Sequence, residues 1–498
     1  MRVGPEVPGG SERLTRVVAE LDLDVRPGVL TQLGGVLDRL DATLVHTSEP
    51  KHSTESGRAA RRVSTKPAQS VVQSAVKSVA QSDVQSAVQA VVQSVVRAEE
   101  RSTVQPRLVQ DGGAYTVVLD AEAAYKSRRG APTPPLAGLT IAVKDLIAVA
   151  GYPLGAGSVA WRGGNFETQD ALIVGRLREL GAVIVGLTAL HEVAFGVTGI
   201  NDVLGWPRNP HDPRRIPGGS SSGSAVAVVE GSAEVAVGTD TGGSLRIPAA
   251  LCGAVGYKPS FGTYATHGVL PLSPTLDHVG LLAARVALIR RVHAALGFDP
   301  GQARVPARVG VAIRDVEESD EPVTERVREC VRTLERAGAR VVDLALPDPD
   351  LVFAVSTAVM FTEAAAVHRS IFQRRCALYG EDVRNRLLQG LAIPAATYAA
   401  ALRERTRLKA LTTEALGTVD CVIGPTVGLV APREVEARDP TVAARLVRNT
   451  RLANVVGAPA LSLPLPGHGL PMGLQIMALD DASLLGWAAG IERVIRRR

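Results

Sequence analysis

Two glycine/serine-rich turns, Gly218-Gly219-Ser220-Ser221-Ser222-Gly223 and Thr241-Gly242-Gly243-Ser244, constrain this chain more than any other feature. Between them lie a small-residue segment that reads as a helix, 222–230, and an apolar run that reads as a strand, 233–237. A helix followed by a strand returns the chain to the sheet edge it left, so the two turns can meet there. Adjacent glycines let the backbone bend sharply and approach a ligand. In the second turn successive N–H groups of Thr241, Gly242, Gly243 and Ser244 can face one hollow, a nest suited to an anion or oxyanion. Ser244 closes that nest ahead of a helix that holds Pro248, where a nucleophile would find its donors already in place. On composition alone such turns are more often just turns.

The surrounding pattern alternates strand and helix. Residues 139–143 (LTIAV) read as a buried strand ending at Lys144-Asp145. Residues 168–180 read as a helix with Thr168 or Asp170 near its cap, and 182–185 as the next strand. This order predicts an α/β fold with a largely parallel or mixed sheet, and sites at strand ends. Residues 11–45 read as helical, from apolar positions at Leu14, Val17, Val18, Leu21, Leu30, Leu33, Val36 and Leu37. A four-residue Val/Gln/Ser unit then repeats seven times across 69–96. Such a period drifts about 40° per repeat on a helix and equally suits a strand, so the segment reads as a tethered insert or an oligomerising helix. The expected plan is a helical segment over 1–50, a low-complexity insert over 51–109, and a catalytic domain over 110–498.

Composition narrows the function. Of 55 basic residues only seven are lysines, the net charge is +5, and aromatics make up 3% of the chain, so nothing resembles a phosphate-tracking or base-stacking surface. Nucleic acid and membrane partners are not expected. Cys252, Cys330, Cys376 and Cys421 lie far apart without metal-ligand spacing, so neither a disulfide framework nor a metal site is expected. With no signal-peptide pattern at the start, the expected location is the cytoplasm. Gly219-Ser220-Ser221-Ser222-Gly223 satisfies G-x-S-x-G, but the proline-bearing segment before it is no strand, as a nucleophile elbow would need. Neither a phosphate-binding P-loop nor a dinucleotide fingerprint is present.

PGGSSSGSA followed by GTDTGGSLRIPA resembles the amidase signature family, serine hydrolases that cleave carbon–nitrogen amide bonds. The likeness extends through LAGLTIAVKD, Gly157-Ser158, Asp170-Ala171, Glu192, Asn201, Asn209-Pro210, Thr275-Leu276-Asp277, Cys421 to Pro425, Asn454 to Pro459 and Gly469 to Gly473. It implies an α/β sandwich, a mixed central sheet flanked by helices, behind a variable N-terminal helical extension. It also implies a Ser–cis-Ser–Lys catalytic set: Ser244 as nucleophile, Ser220 as bridging serine and Lys144 as base, with no metal or organic cofactor. The backbone of Thr241, Gly242, Gly243 and Ser244 would form the oxyanion hole. Ser221 and Asp240 would hold the turn and lysine network, and Arg246 would brace the loop or touch the substrate, bracing being the safer role. The family uses no histidine, so His267 and His278 read as packing or surface residues.

The residues agree with these roles. A lysine serves as base only when neutral, and burial at a strand end lowers its pKa. A serine, both donor and acceptor, can relay a proton. The expected activity is hydrolysis of a small-molecule linear amide. The alternatives are the glutamine-hydrolysing component of a tRNA-dependent amidotransferase and a catalytically silent assembly scaffold. Leu154, Leu187, Ala189 and Val229 depart from the family pattern without touching the triad. Ile247, where the amidotransferase members of the family usually carry glutamine, disfavours the first alternative. Residues 300–405 would shape the pocket and carry no readable substrate code.

Overall fold

The computed structural model describes residues 8–21, 25, 27–46, 107–108, 113–119, 133–162 and 166–496. The 69–96 repeat lies outside the described residues. A mixed twelve-stranded sheet forms the centre, built from β1 (Arg107–Leu108), β2 (Tyr115–Val118), β3 (Thr140–Lys144), β4 (Val183–Thr188), β5 (Val235–Asp240), β6 (Val255–Lys258), β7 (His278–Ala283), β8 (Arg308–Ala312), β9 (Arg340–Leu344), β10 (Cys421–Pro425), β11 (Ala460–Pro464) and β12 (Gly473–Met477). Their order across the sheet is β1-β2-β4-β3-β5-β7-β6-β11-β12-β10-β8-β9. β3 runs parallel to both β4 and β5, so Lys144 and Asp240, the last residues of β3 and β5, reach the same edge. This is the expected α/β fold, a mixed sheet flanked by helices.

Side-chain alternation along the strands separates two faces. Ile141, Val143, Val235, Val237 and Leu281 enter the large core. Ala142, Ala236 and Leu282 enter a smaller one with Ala225, Val226, Ala227 and Val228 of the helix Ser222–Val229. Alanine and glycine on this second face let that helix lie close. A Cβ on Gly223 would sit 2.2 Å from the Ala114 carbonyl oxygen and 2.6 Å from the Ala189 nitrogen. The close approach puts Ser220 and Ser221, just ahead of the helix, at the ends of β3 and β5.

The helix expected over 168–180 spans Leu172–Glu179 with Ala171 at its cap. Asp170 does not cap it, because its carboxylate is taken by the Ala150 N–H at 2.8 Å and by Arg178. The N-terminal region is two helices, Gly10–Glu20 and Pro27–His46, the second starting at the proline. They dock on the C-terminal half: Arg13 Nε donates to the Ala392 carbonyl at 3.2 Å, and Thr397 Oγ1 to Asp41 at 2.6 Å. The helical stretch Pro349–Leu378 is long and apolar enough to cross a bilayer, yet 67% of its most apolar window is buried within the fold, as for a core helix.

Candidate active site

Lys144 ends a strand whose preceding residues are apolar, and the sheet and the helix Ser222–Val229 enclose it completely. Its Nζ donates to Ser220 Oγ at 2.7 Å and to Thr239 Oγ1 at 2.8 Å, and among the described residues no carboxylate pairs with it directly. Burial pulls its pKa down to about 7, against the opposing fields of Asp240 and Asp277. Burial therefore favours the neutral amine far more than water does. The Gly219–Ser220 peptide bond is cis. Ser220 is anchored through its carbonyl by the His191 N–H at 3.1 Å, and Ser221 through its hydroxyl to the Thr239 carbonyl at 3.1 Å.

The second turn hangs on Asp240. Its carboxylate accepts from the N–H groups of Gly243 at 2.8 Å and Leu245 at 3.2 Å, from Asn454 Nδ2 at 2.9 Å, and from Arg246 through a two-point fork at 3.0 Å. Burial would raise this carboxyl, but Arg246, Lys258 and Asn454 hold it below the usual carboxylate range. Arg246 itself is fully buried and also donates to the Thr450 carbonyl at 2.9 Å, Gln475 at 2.7 Å and Asn454 Oδ1 at 2.6 Å. Every direction of its guanidinium is occupied by protein, so it braces the loop and has no donor left for a substrate. Thr450 Oγ1 clamps the turn from the other side by donating to the Gly242 carbonyl at 2.6 Å. Gly243 sits at φ 128°, and a Cβ there would lie 2.3 Å from Thr450 Oγ1.

Ser244 follows directly, almost fully buried, and its carbonyl accepts from the Ser221 N–H at 3.1 Å. That bond brings the two turns together. Among the described residues the Ser244 hydroxyl has no protein partner, so the Lys144–Ser220 contact is formed while a Ser220–Ser244 hydroxyl bond is not. Such bonds often tighten only with substrate bound. The expected donor set needs one correction. The Gly243 N–H already serves Asp240, and among the described residues those of Thr241, Gly242 and Ser244 have no protein acceptor.

The two histidines fall as expected. His267 is exposed, whereas His278 is buried on β7 with Nδ1 2.7 Å from the Leu276 carbonyl oxygen and an edge contact to Phe261. Among the described residues no cluster of His, Cys, Asp and Glu could hold a metal. A small cleft lies at the ends of β8 and β10, lined in part by Asp315, Arg448 and Gln475, and none of Lys144, Ser220 and Ser244 lines it. Of the departures noted above, Ile247 lies directly under the nest, where a Cβ on Gly243 would meet its Cδ1 at 2.7 Å.

A family model described as Amidase matches residues 114–485. The chain belongs to the amidase family. It is 34% identical over 388 residues to a 2-amino-5-chloromuconic acid deaminase of Comamonas testosteroni, covering 74% of this chain and 84% of that protein. An indoleacetamide hydrolase of Pseudomonas savastanoi is 33% identical over 413 residues, 78% of this chain and 89% of its own length. One of the glutamyl-tRNA(Gln) amidotransferase subunits of Koribacter versatilis is 33% identical over 417 residues, 74% and 86%. The crystal structure of an amidase superposes with a TM-score of 0.71 at 32% identity, over 83% of this chain and 98% of that one. Membership in the amidase family makes amide hydrolysis the reaction class.

Thr239, Thr450 and Gln475 were not legible in the sequence as parts of the site, and Asn454 was legible without a role. Thr239 carried one usable signal: a hydroxyl in the otherwise apolar strand VAVGTD, next to the acid that ends it. The others sit more than 200 positions from the groups they hold and leave no local pattern.

Proposed function

We propose that the protein hydrolyses a linear small-molecule amide to a carboxylic acid and ammonia or an amine, with Ser244 as nucleophile and Lys144 as base acting through Ser220. The observation that carries this reading is Lys144: fully buried, 2.7 Å from Ser220 Oγ, and neutral enough near pH 7 to accept a proton. Ser244 Oγ bonds to the amide carbon while its proton passes through Ser220 to Lys144. The oxyanion faces the free N–H groups of Thr241, Gly242 and Ser244. Collapse breaks the C–N bond as the relay returns the proton to the leaving nitrogen, and water then cleaves the ester by the same path. The free cysteines fit the reducing cytoplasm proposed for it.

The test is ammonia release from a panel of aliphatic, aromatic and peptide amides by wild type and Ser244→Ala, with mass detection of an acyl adduct on Ser244. Turnover by a folded Ser244→Ala protein would remove the serine from the mechanism. The relative from the amidotransferase supports a second reading, a glutaminase working within a complex. Buried Ile247 beneath the nest, in place of the usual glutamine, weighs against it. Glutaminase activity together with co-purifying protein partners would favour it.

A further inference from the structure

Arg451 opens the helix Arg451–Val456 immediately after Thr450, the residue that clamps the Gly242 carbonyl. Its stem flanks the nest, with Cγ 3.8 Å from where a Cβ on Gly242 would stand and Met360 Cε beside it at 3.3 Å. The side chain is only 8% exposed. Nη1 donates to Ser356 Oγ and Thr357 Oγ1, both at 2.7 Å, and to the Phe353 carbonyl at 3.3 Å, and the guanidinium lies 4.1 Å over the Phe353 ring.

The opposite edge of the guanidinium has no hydrogen-bond partner among the described residues. Nε is buried without an acceptor, and among the described residues Nη2 also has none, though it is not sealed off. The same Nε/Nη2 edge on Arg246 is filled by both oxygens of Asp240. Among the described residues no carboxylate pairs with Arg451, whereas its cationic neighbour Arg386 has Asp382 at 3.2 Å. Burial and the field of Arg386 pull Arg451 down to about 9, the mark of a cation without its anion. Taking a guanidinium out of water without a counter-ion is costly, and a carboxylate is the partner that best offsets it.

We propose that Arg451 anchors a carboxylate carried by the substrate, so that the enzyme prefers amides of carboxylate-bearing acids, such as the half-amides of dicarboxylic acids, over neutral amides. This rests on the reading of the Ser244 nest as the reaction centre, because Arg451 flanks that nest at Gly242. The carboxylate meets the guanidinium at Nη2, the donor that is not sealed off, while the amide carbonyl faces the nest.

The experiment compares kcat/KM for succinamic and glutaramic acids with that for the neutral butyramide and valeramide, in wild type, Arg451→Met and Arg451→Lys. Wild type is expected to favour the half-amides. Arg451→Met should lower that preference by roughly 10²-fold, as for other buried charge pairs that lose one partner, and Arg451→Lys should restore part of it. Equal kcat/KM for charged and neutral amides, or an equal loss on both in Arg451→Met, would make Arg451 a structural clamp and overturn the proposal. A second measurement does not depend on turnover: glutarate should raise the melting temperature of wild type and not that of Arg451→Met. If chloride or phosphate stabilises wild type as well as glutarate does, the carboxylate assignment falls. If no amide is hydrolysed yet glutarate still binds through Arg451, the hydrolase reading fails while the anion site stands.

Discussion

Thr239→Val removes one of the two hydrogen bonds of the Lys144 amine, at 2.8 Å, while keeping nearly the same shape. The ammonium form, with three donors to satisfy, depends on that acceptor more than the neutral amine does. A hydrogen bond to a charged group contributes about 1.5–3 kcal/mol and a neutral one about 1, so the charged form loses roughly 0.5–2 kcal/mol more, centred a little above 1. At about 1.36 kcal/mol per pH unit, this moves the Lys144 titration down by about one pH unit. From a starting point of about 7, the neutral fraction at pH 7 then rises. The assay is kcat/KM by ammonia release across roughly pH 5 to 9, where the rate should climb as Lys144 loses its proton. The variant's rising limb should lie about one pH unit to the acid side, whatever its plateau height. A limb that stays in place, or moves to alkaline pH, would show that the titrating group is not Lys144. Stability follows the same linkage. The folded pKa of about 7 lies below the ordinary lysine value of 10.5, so the folded state binds fewer protons between the two. Stability from this group therefore rises with pH across that window, and its cost is fully present below pH 7.

Lys144→Ala and Ser220→Ala should each lose several orders of magnitude in kcat/KM. His278→Ala should lower the melting temperature but stay active, and a dead, folded His278→Ala beside an active Lys144→Ala would reverse the proton path. Arg246→Met leaves the Asp240 carboxylate buried without its fork and should cost about 3–5 kcal/mol in urea unfolding, where an unchanged midpoint would contradict its bracing role. Replacing residues 69–96 with a short Gly/Ser linker should preserve kcat/KM, because the helices Gly10–Glu20 and Pro27–His46 dock through their own contacts. A folded but inactive deletion protein would refute that separation, and a lower mass in solution at full activity would mark the repeat as an assembly element.

The two turns, Lys144 and the strand–helix alternation were legible because each depends on neighbours in sequence: an apolar run stopping at a charge, or glycines beside serines. Boundaries were less so. β5 continues through Gly238, Thr239 and Asp240, polar or small residues that look like turn and are held in register by His278, Val279 and Gly280 on β7. Asp170 looked like a helix cap until the fold supplied Ala150 as a better partner. The Gly243 N–H looked free for an oxyanion, and only the folded turn reveals that Asp240 claims it. Arg451 carried no signal at all, since its meaning lies in a missing partner that only the three-dimensional neighbourhood exposes.

Arg246 imposes an order on the birth of this site. Three of the groups that grip it, on Thr450, Asn454 and Gln475, follow it by 204, 208 and 229 positions. Before those positions are made, Arg246 has the fork to Asp240, six residues earlier, and lacks its other three partners. Gln475 arrives with β12, the last strand, which slides between β11 and β10. A chain cut before β12 lacks Gln475, so the brace that Arg246 forms beneath Ser244 is incomplete in it.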